Sequence, residues 1–185
     1  MSIKTAVYDG AMFLQLDQVC EVIESGETPD DDTKKEIELL TRCANLVLVE
    51  IASCYYPLKT VEKVTASGGY IYYENLSKPI IDTYYIKNSA GEGVRFTEYF
   101  YRIAVRDGEY EIEYSYACPP LSLDDEIPYK NNRVSDRILA YGIACEYCVI
   151  SGMVNEASIW QKRYYDALIG SGDKREKKVK ARGWL

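Results

Sequence analysis

Residues 106–120 run Arg106-Asp107-Gly108-Glu109-Tyr110-Glu111-Ile112-Glu113-Tyr114-Ser115-Tyr116-Ala117-Cys118-Pro119-Pro120, and their pattern decides the fold. Tyr110, Ile112, Tyr114 and Tyr116 alternate with Glu109, Glu111, Glu113 and Ser115. Successive side chains of a strand point to opposite faces, so this period of two predicts a strand with one aromatic and one charged face. One face packs and the other meets water, the habit of antiparallel sheets. Asp107-Gly108 predicts a hairpin turn ahead of the strand, because this pair accepts the positive φ of a type I′ turn. Cys118-Pro119-Pro120 ends the sheet, since proline has no N–H to give to a ladder.

Working back from this strand, the period stays at two as far as Leu58. Short strands are predicted over 61–65 and 70–75, separated by Ser67-Gly68-Gly69. Longer ones are predicted over 80–87 and 94–105, joined by Ser89-Ala90-Gly91-Glu92-Gly93. Gly91-x-Gly93 is followed by a strand rather than a helix, so it is not a phosphate loop.

On either side of the sheet the apolar period is helical. Residues 11–25 predict a short amphipathic helix with Leu14, Val19, Val22 and Ile23 inward, ended by Ser25-Gly26. A second helix starts at Thr28-Pro29-Asp30-Asp31-Asp32-Thr33. Its stripe is Ile37, Leu40, Ala44, Val47, Ile51 and Tyr55, and Pro57 closes it. Asp30, Asp31 and Asp32 suit the positive end of a helix dipole; no spaced loop of alternating acids follows, as calcium would require. After the sheet, 121–128 is a linker. A third helix carries Val134, Ile138, Tyr141, Cys145 and Val149, closed by Ser151-Gly152. A fourth, over 155–168, carries Ala157, Trp160, Tyr164 and Leu168, and Gly170-Ser171-Gly172 ends it.

The 185 residues are 47% apolar and 28% charged, the balance of a folded globular chain. No apolar run approaches the ~18 residues of a membrane helix, and the first residues show no secretory signal. The chain has no histidine, which excludes histidine triads, histidine bases and Cys/His zinc sites. Six cysteines, most of them in apolar periodic contexts, without a leader fit a reducing cytosol. Cys145-Glu146-Tyr147-Cys148 is a CxxC inside a helical pattern, away from the helix N-terminus that tunes redox thiols. Asp124, Asp125 and Glu126 form an acid cluster before the third helix, read as helix-start electrostatics rather than a metal or acid–base pair. A small cytosolic thiol- or metal-dependent enzyme using Cys145 and Cys148 or this acid cluster is one reading the residues leave open, and a small cytosolic interaction module another.

The net charge of −7 is uneven. Residues 173–185 hold Lys174, Arg175, Lys177, Lys178, Lys180 and Arg182 against Asp173 and Glu176, so this arm is +4 and the rest −11. An acidic body repels phosphates and argues against broad nucleic-acid binding. The basic arm, ending in Trp184 and Leu185, is predicted to dock on a partner. Eighteen tyrosines suit half-buried sheet faces and interfaces.

The order helix, helix, sheet, helix, helix predicts an α+β fold: one four-helix bundle over 1–172, with an antiparallel sheet inserted at 58–118 and a basic arm at 173–185. Three passages carry a family resemblance. They are Leu39-Leu40-Thr41-Arg42-Cys43-Ala44-Asn45 running into Tyr55-Tyr56-Pro57, then 114–128 with Cys118-Pro119-Pro120-Leu121-Ser122-Leu123 and Glu126-Ile127-Pro128, and then the closing helix pair with Arg137-Ile138-Leu139-Ala140-Tyr141-Gly142 and Trp160, Tyr164 and Tyr165. In these, from about residue 39 to 168, the chain resembles the head-to-tail connector (adaptor) proteins of tailed bacteriophages. The resemblance implies a structural virion protein of the neck, made in the host bacterial cytoplasm, with no catalytic residue, cofactor or metal. It implies a ring of roughly twelve copies with heterologous contacts, bound to the portal at one end and to a tail or tail-completion protein at the other. DNA would pass through an acidic lumen without specific binding. The arm residues Lys174, Arg175, Lys177, Lys178, Lys180, Arg182, Trp184 and Leu185 are the expected partner-binding set, docking on the portal or a neighbouring subunit, and no membrane contact is expected.

Overall fold

The computed structural model describes residues 2–130 and 134–171. They form an α+β fold with five α-helices and two small antiparallel three-stranded sheets.

The first helix, α1 (Ile3–Phe13), is not foreseen in the sequence pattern. Ile3, Ala6, Val7, Gly10 and Ala11 are all buried, at helical spacing. Three of the five are alanine or glycine, so the stripe is apolar only weakly. The smallness serves close packing: a Cβ at Gly10 would lie 2.9 Å from Ile143 Cγ2. Ser2 caps the helix, its Oγ accepting from Thr5 N at 3.3 Å.

The single helix expected over 11–25 is instead the end of α1 and a second helix, α2 (Asp17–Ser25). They are divided at Gln15, which takes φ 59°. The break serves burial on two sides. Phe13 stacks on Tyr141 and on Trp160, each at 5.3 Å, while Val19 and Ile23 of α2 are buried in the same helical core.

Helix α3 (Asp31–Glu50) begins at Asp30, whose Oδ1 accepts from Thr33 N at 2.7 Å. The acids here therefore initiate a helix, as expected. Leu40, Ala44, Val47 and Ile51 are buried along the predicted stripe. Tyr55 is not: it is 37% exposed. A π-helical turn over Ile51–Tyr55 inserts an extra residue per turn and rotates the apolar face by one position. Tyr56 takes the inner place, its hydroxyl 2.9 Å from Ser171 Oγ.

Helix α4 (Asp136–Ile150) is buried almost all round from Ile138 to Cys145, because α1, α3 and α5 (Val154–Ser171) pack against it. Val134, Ile138, Tyr141 and Cys145 are inward as expected, whereas Val149 in the last turn is 58% exposed. On α5 Ala157, Tyr164 and Leu168 are buried, and Trp160 closes the stack with Phe13 and Tyr141. The helix continues through Gly170 to Ser171 rather than ending before them.

Six strands make two sheets. They are β1 (Leu58–Ala66), β2 (Tyr70–Tyr72), β3 (Ile80–Asn88), β4 (Thr97–Tyr99), β5 (Arg102–Ala104) and β6 (Gly108–Tyr116). One sheet has the order β1-β6-β3 and the other β2-β5-β4. The hairpin expected at Asp107-Gly108 does not form, since β6 pairs with β1 and β3 and not with β5. Residues 105–107 instead cross from one sheet to the other, and Asp107 Oδ1 accepts from Gly69 N at 2.6 Å. The reason is burial. Ile71 and Ile103 from one sheet share a core with Ile86, Ile112 and Tyr114 from the other, so each apolar face covers its counterpart.

The strand expected over 94–105 is broken in two. β4 and β5 pair tightly, Tyr99 opposite Arg102, with Phe100-Tyr101 as the connection. On β6 the predicted alternation holds at Tyr110, Ile112 and Tyr114, which are buried. Ser115, expected outward, is also covered: its Oγ accepts from Asp82 N at 3.1 Å.

The helical and sheet cores meet where the chain enters and leaves the sheet. Leu58 and Cys118 belong to the helical core, and Tyr116 packs against both. Tyr129 Oη donates to the Tyr56 carbonyl at 2.9 Å and fastens the returning linker to the end of α3.

Candidate interaction surface

Strand β2 alternates, so Ile71 turns inward and Tyr70 and Tyr72 turn out. Across the ladder Tyr72 pairs with Arg102 and Ile71 with Ile103. The outward face of this small sheet therefore gathers Tyr70, Tyr72, Tyr99, Tyr101 and Arg102. The Arg102 guanidinium lies 3.8 Å from the Tyr70 ring centre, 5.0 Å from that of Tyr101 and 5.7 Å from that of Tyr99. Tyr72 stacks on Tyr101 at 6.3 Å. Stacked tyrosines hold the cation in place by cation–π attraction. Its Nε is shut off from water and has no hydrogen-bond partner.

Phe100, at the tip of the β4–β5 connection, is 98% exposed. A phenyl ring left in water forgoes roughly 1.5–3 kcal/mol of burial. Tyrosine, arginine and phenylalanine clustered on one exposed face are the composition of interface hot spots. Tyr99-Phe100-Tyr101 could have disclosed this surface in the sequence, because three aromatics in a row cannot all face inward in a strand of period two. The turn itself was hidden, since it contains no glycine, asparagine or aspartate.

The residues singled out from the sequence fare differently. Lys174, Arg175, Lys177, Lys178, Lys180, Arg182, Trp184 and Leu185 lie outside the described residues. Cys145 and Cys148 are both buried in the packing of α4. Burial, with Glu146 next, pushes the Cys145 thiol up to about 11, and burial raises Cys148 as well. Cys145 Sγ lies 3.6 Å from the Ala157 carbonyl. This environment holds the pair as thiols, whereas a nucleophile or redox pair needs thiolate.

Asp124, Asp125 and Glu126 are exposed, and α4 starts only at Asp136, so they do not sit at its first turn as expected; Asp125 and Glu126 do local work instead. Asp125 Oδ2 accepts from Ser122 N at 2.6 Å, its carbonyl accepts from Ile3 N at 3.1 Å, and Glu126 bridges to Ser2. They tie the linker to the start of α1. Among the described residues no three His, Cys, Asp or Glu side chains are placed to hold a metal ion, and no helix is long and apolar enough to cross a membrane.

The second charged surface is the outer face of the larger sheet. Glu113 pairs with Lys59 at 3.5 Å, and Lys59 Nζ also sits 3.4 Å over the Tyr84 ring. Hydrogen bonding to Glu113 raises the Tyr85 hydroxyl. Acids, lysines and tyrosines alternate here and satisfy one another. That is the chemistry of a wet face, although Val61 beside Glu113 is exposed there too.

No protein-family model matches the chain, and no curated protein matches it.

Proposed function

We propose that the chain is a structural protein of the tailed-phage neck, joining the portal of the head to the tail as a ring of roughly twelve copies through which DNA passes. The observation that carries this reading is the Phe100 tip on its Tyr70, Tyr72, Tyr99, Tyr101 and Arg102 face. A chain acting alone has no use for such a surface, whereas an assembly subunit buries it.

Two further features support it. Of the passages on which the resemblance rests, the first two are held together: Asn45 Oδ1 accepts from Leu121 N at 2.7 Å, and Asn45 Nδ2 donates to Leu121 O at 2.8 Å. In this reading α1, α3, α4 and α5 serve as a four-helix bundle, with α2 alongside and the sheets projecting as an assembly platform. The acidic body keeps DNA phosphates from adhering to the lumen. The arm over 173–185 adds a basic, apolar-ended anchor. The protein acts in the virion neck after synthesis in the bacterial cytoplasm, and has no catalytic role.

The test is capture of the portal protein encoded in the same genome. The wild-type chain retains the portal. Phe100→Ala retains the fold and loses affinity by the ~1 kcal/mol or more of a hot-spot truncation. Deleting 173–185 abolishes capture. Capture unchanged by both variants contradicts the proposal.

A further inference from the structure

The register of the smaller sheet sorts its side chains by face. Tyr72, Arg102 and Tyr99 form one row across the three strands, and Tyr70, Ala104 and Thr97 the next but one. Pleating sends both rows to the outer face, and sends the row of Ile71, Ile103 and Glu98 between them to the other. The outer rows therefore hold one cation and no carboxylate. Residues 1–172 carry a charge of −11, so this is a positive face on an acidic body.

Arg102 occupies the centre of that face. It is half-buried, its guanidinium lies 3.8 Å from the Tyr70 ring centre, and its Nε is sealed off without a hydrogen bond. The Tyr72 hydroxyl is within hydrogen-bonding reach but carries no charge. Among the described residues the ion pairs are Lys35–Asp32 and Lys59–Glu113, and Arg102 belongs to neither. A partly desolvated cation without a counter-ion is unfavourable. A guanidinium already held by aromatic rings is also ordered in advance for the planar, two-pronged contact that a carboxylate makes.

Beside it stands Phe100, 98% exposed. An apolar ring next to an unpaired cation is matched by a partner that brings a carboxylate and an apolar side chain together. Size narrows the partner further. Three strands of three residues cover about 10 Å by 10 Å, far less than the ~800 Å² a side of a standard interface. That footprint takes a single segment rather than a flat domain face. A phosphate backbone would be repelled everywhere outside this small patch, so nucleic acid is the poorer fit. Two copies of this chain meeting face to face would set Arg102 against Arg102.

We infer that the face of Arg102 and Phe100 binds an acidic segment of a different protein, with one carboxylate on the Arg102 guanidinium and a neighbouring apolar side chain against Phe100. This deepens the neck proposal and rests on it only in taking a protein as the occupant.

The experiment selects a displayed library of random dodecapeptides on the immobilised full-length chain, then measures the affinities of the enriched peptides by fluorescence anisotropy. The inference requires enriched sequences that combine Asp or Glu with a large apolar residue. It requires affinity to fall at least about tenfold in Arg102→Gln and several-fold in Phe100→Ala, and several-fold in high salt, which screens the charges. Arg102→Lys keeps the charge and loses the fork, so it falls between wild type and Arg102→Gln. If Arg102→Gln unfolds, Arg102→Lys and the salt series decide.

Enriched peptides without acids, no enrichment, or affinities unaltered by Arg102→Gln would overturn the inference. Tighter binding of oligothymidylate than of the peptides would overturn it too, making the face a base-stacking platform. So would self-association of the chain that Arg102→Gln abolishes, which would make the occupant a second copy. Portal capture is read separately. A portal retained equally by Arg102→Gln and wild type sinks this inference and leaves the neck assignment standing; peptides that bind as required while the portal is not retained do the reverse.

Discussion

The side-chain amide of Asn45, in the middle of α3, closes on both backbone groups of Leu121: it accepts from Leu121 N at 2.7 Å and donates to Leu121 O at 2.8 Å. One side chain thus replaces a ladder partner for the chain leaving the sheet, and ties the linker to the helical core. Asn45→Ala leaves a part-buried N–H and C=O without partners, a loss of about 1–3 kcal/mol. Asn45→Asp keeps the acceptor but sets a carboxylate oxygen against the Leu121 and Thr41 carbonyls, so it costs at least as much. Urea unfolding measures both, and equal stability of all three proteins would contradict this role.

Gly142 is a second tight point. A methyl group there would lie 2.7 Å and 2.8 Å from the two Val47 methyls and 3.1 Å from Tyr164 Cε2. Helix propensity alone would make Gly142→Ala stabilising by roughly 1 kcal/mol. Overpacking against a β-branched neighbour costs about 1–3 kcal/mol and outweighs it. Gly142→Ala therefore lowers the melting temperature, and adding Val47→Ala costs less than the two separate effects together. Strict additivity would show that α3 and α4 are not in contact here.

Glu146 faces Glu50 across the α3–α4 junction. Burial first, and the Glu50 charge second, hold the Glu146 carboxyl above its ordinary value of about 4.5. The native state then binds this proton more tightly than the unfolded chain does. Stability falls as pH rises from about 4.5 through the raised native value. Asp9, raised by burial and by Asp136, acts in the same direction. Glu146→Gln is accordingly more stable than wild type at neutral pH and equal to it at pH values below the ordinary one. Melting curves across this range decide it, and a variant less stable at neutral pH would contradict the assignment.

Cysteine reactivity separates a packed scaffold from a thiol enzyme. Cys54 is exposed, and Cys43, Cys118, Cys145 and Cys148 are buried. Burial pushes the Cys43 thiol up to about 12. In native protein a disulfide reagent labels Cys54 quickly and those four only at the rate of unfolding. Rapid labelling of Cys145 or Cys148 would favour the enzyme.

What was legible in the sequence follows from how strongly each pattern is written. Large aliphatics at unbroken helical spacing, as in Leu40 to Ile51, identify their face directly. So does the alternation of Tyr110 to Tyr114. Helix α1 was illegible because Ala6, Gly10 and Ala11 are chosen for closeness, and small residues scarcely raise an apolar pattern. The π-helical turn moved the inner place from Tyr55 to Tyr56, a one-residue insertion that no periodicity foretells. Asp107-Gly108 has the residues of a hairpin turn, but the partner of β6 is set by which apolar faces must cover each other. Tertiary burial overrode local turn chemistry there. Of the candidate surface, the tyrosines stand out in the sequence as a class, while Phe100 and Arg102 are hidden by a turn without turn residues.

The most direct test of the whole account is electron microscopy of this chain expressed together with the portal protein of its own genome. The account predicts portal particles capped by a ring of roughly twelve copies of the chain, coaxial with the channel. Bare portal rings beside an unattached chain, or a genome that encodes no portal, would contradict it.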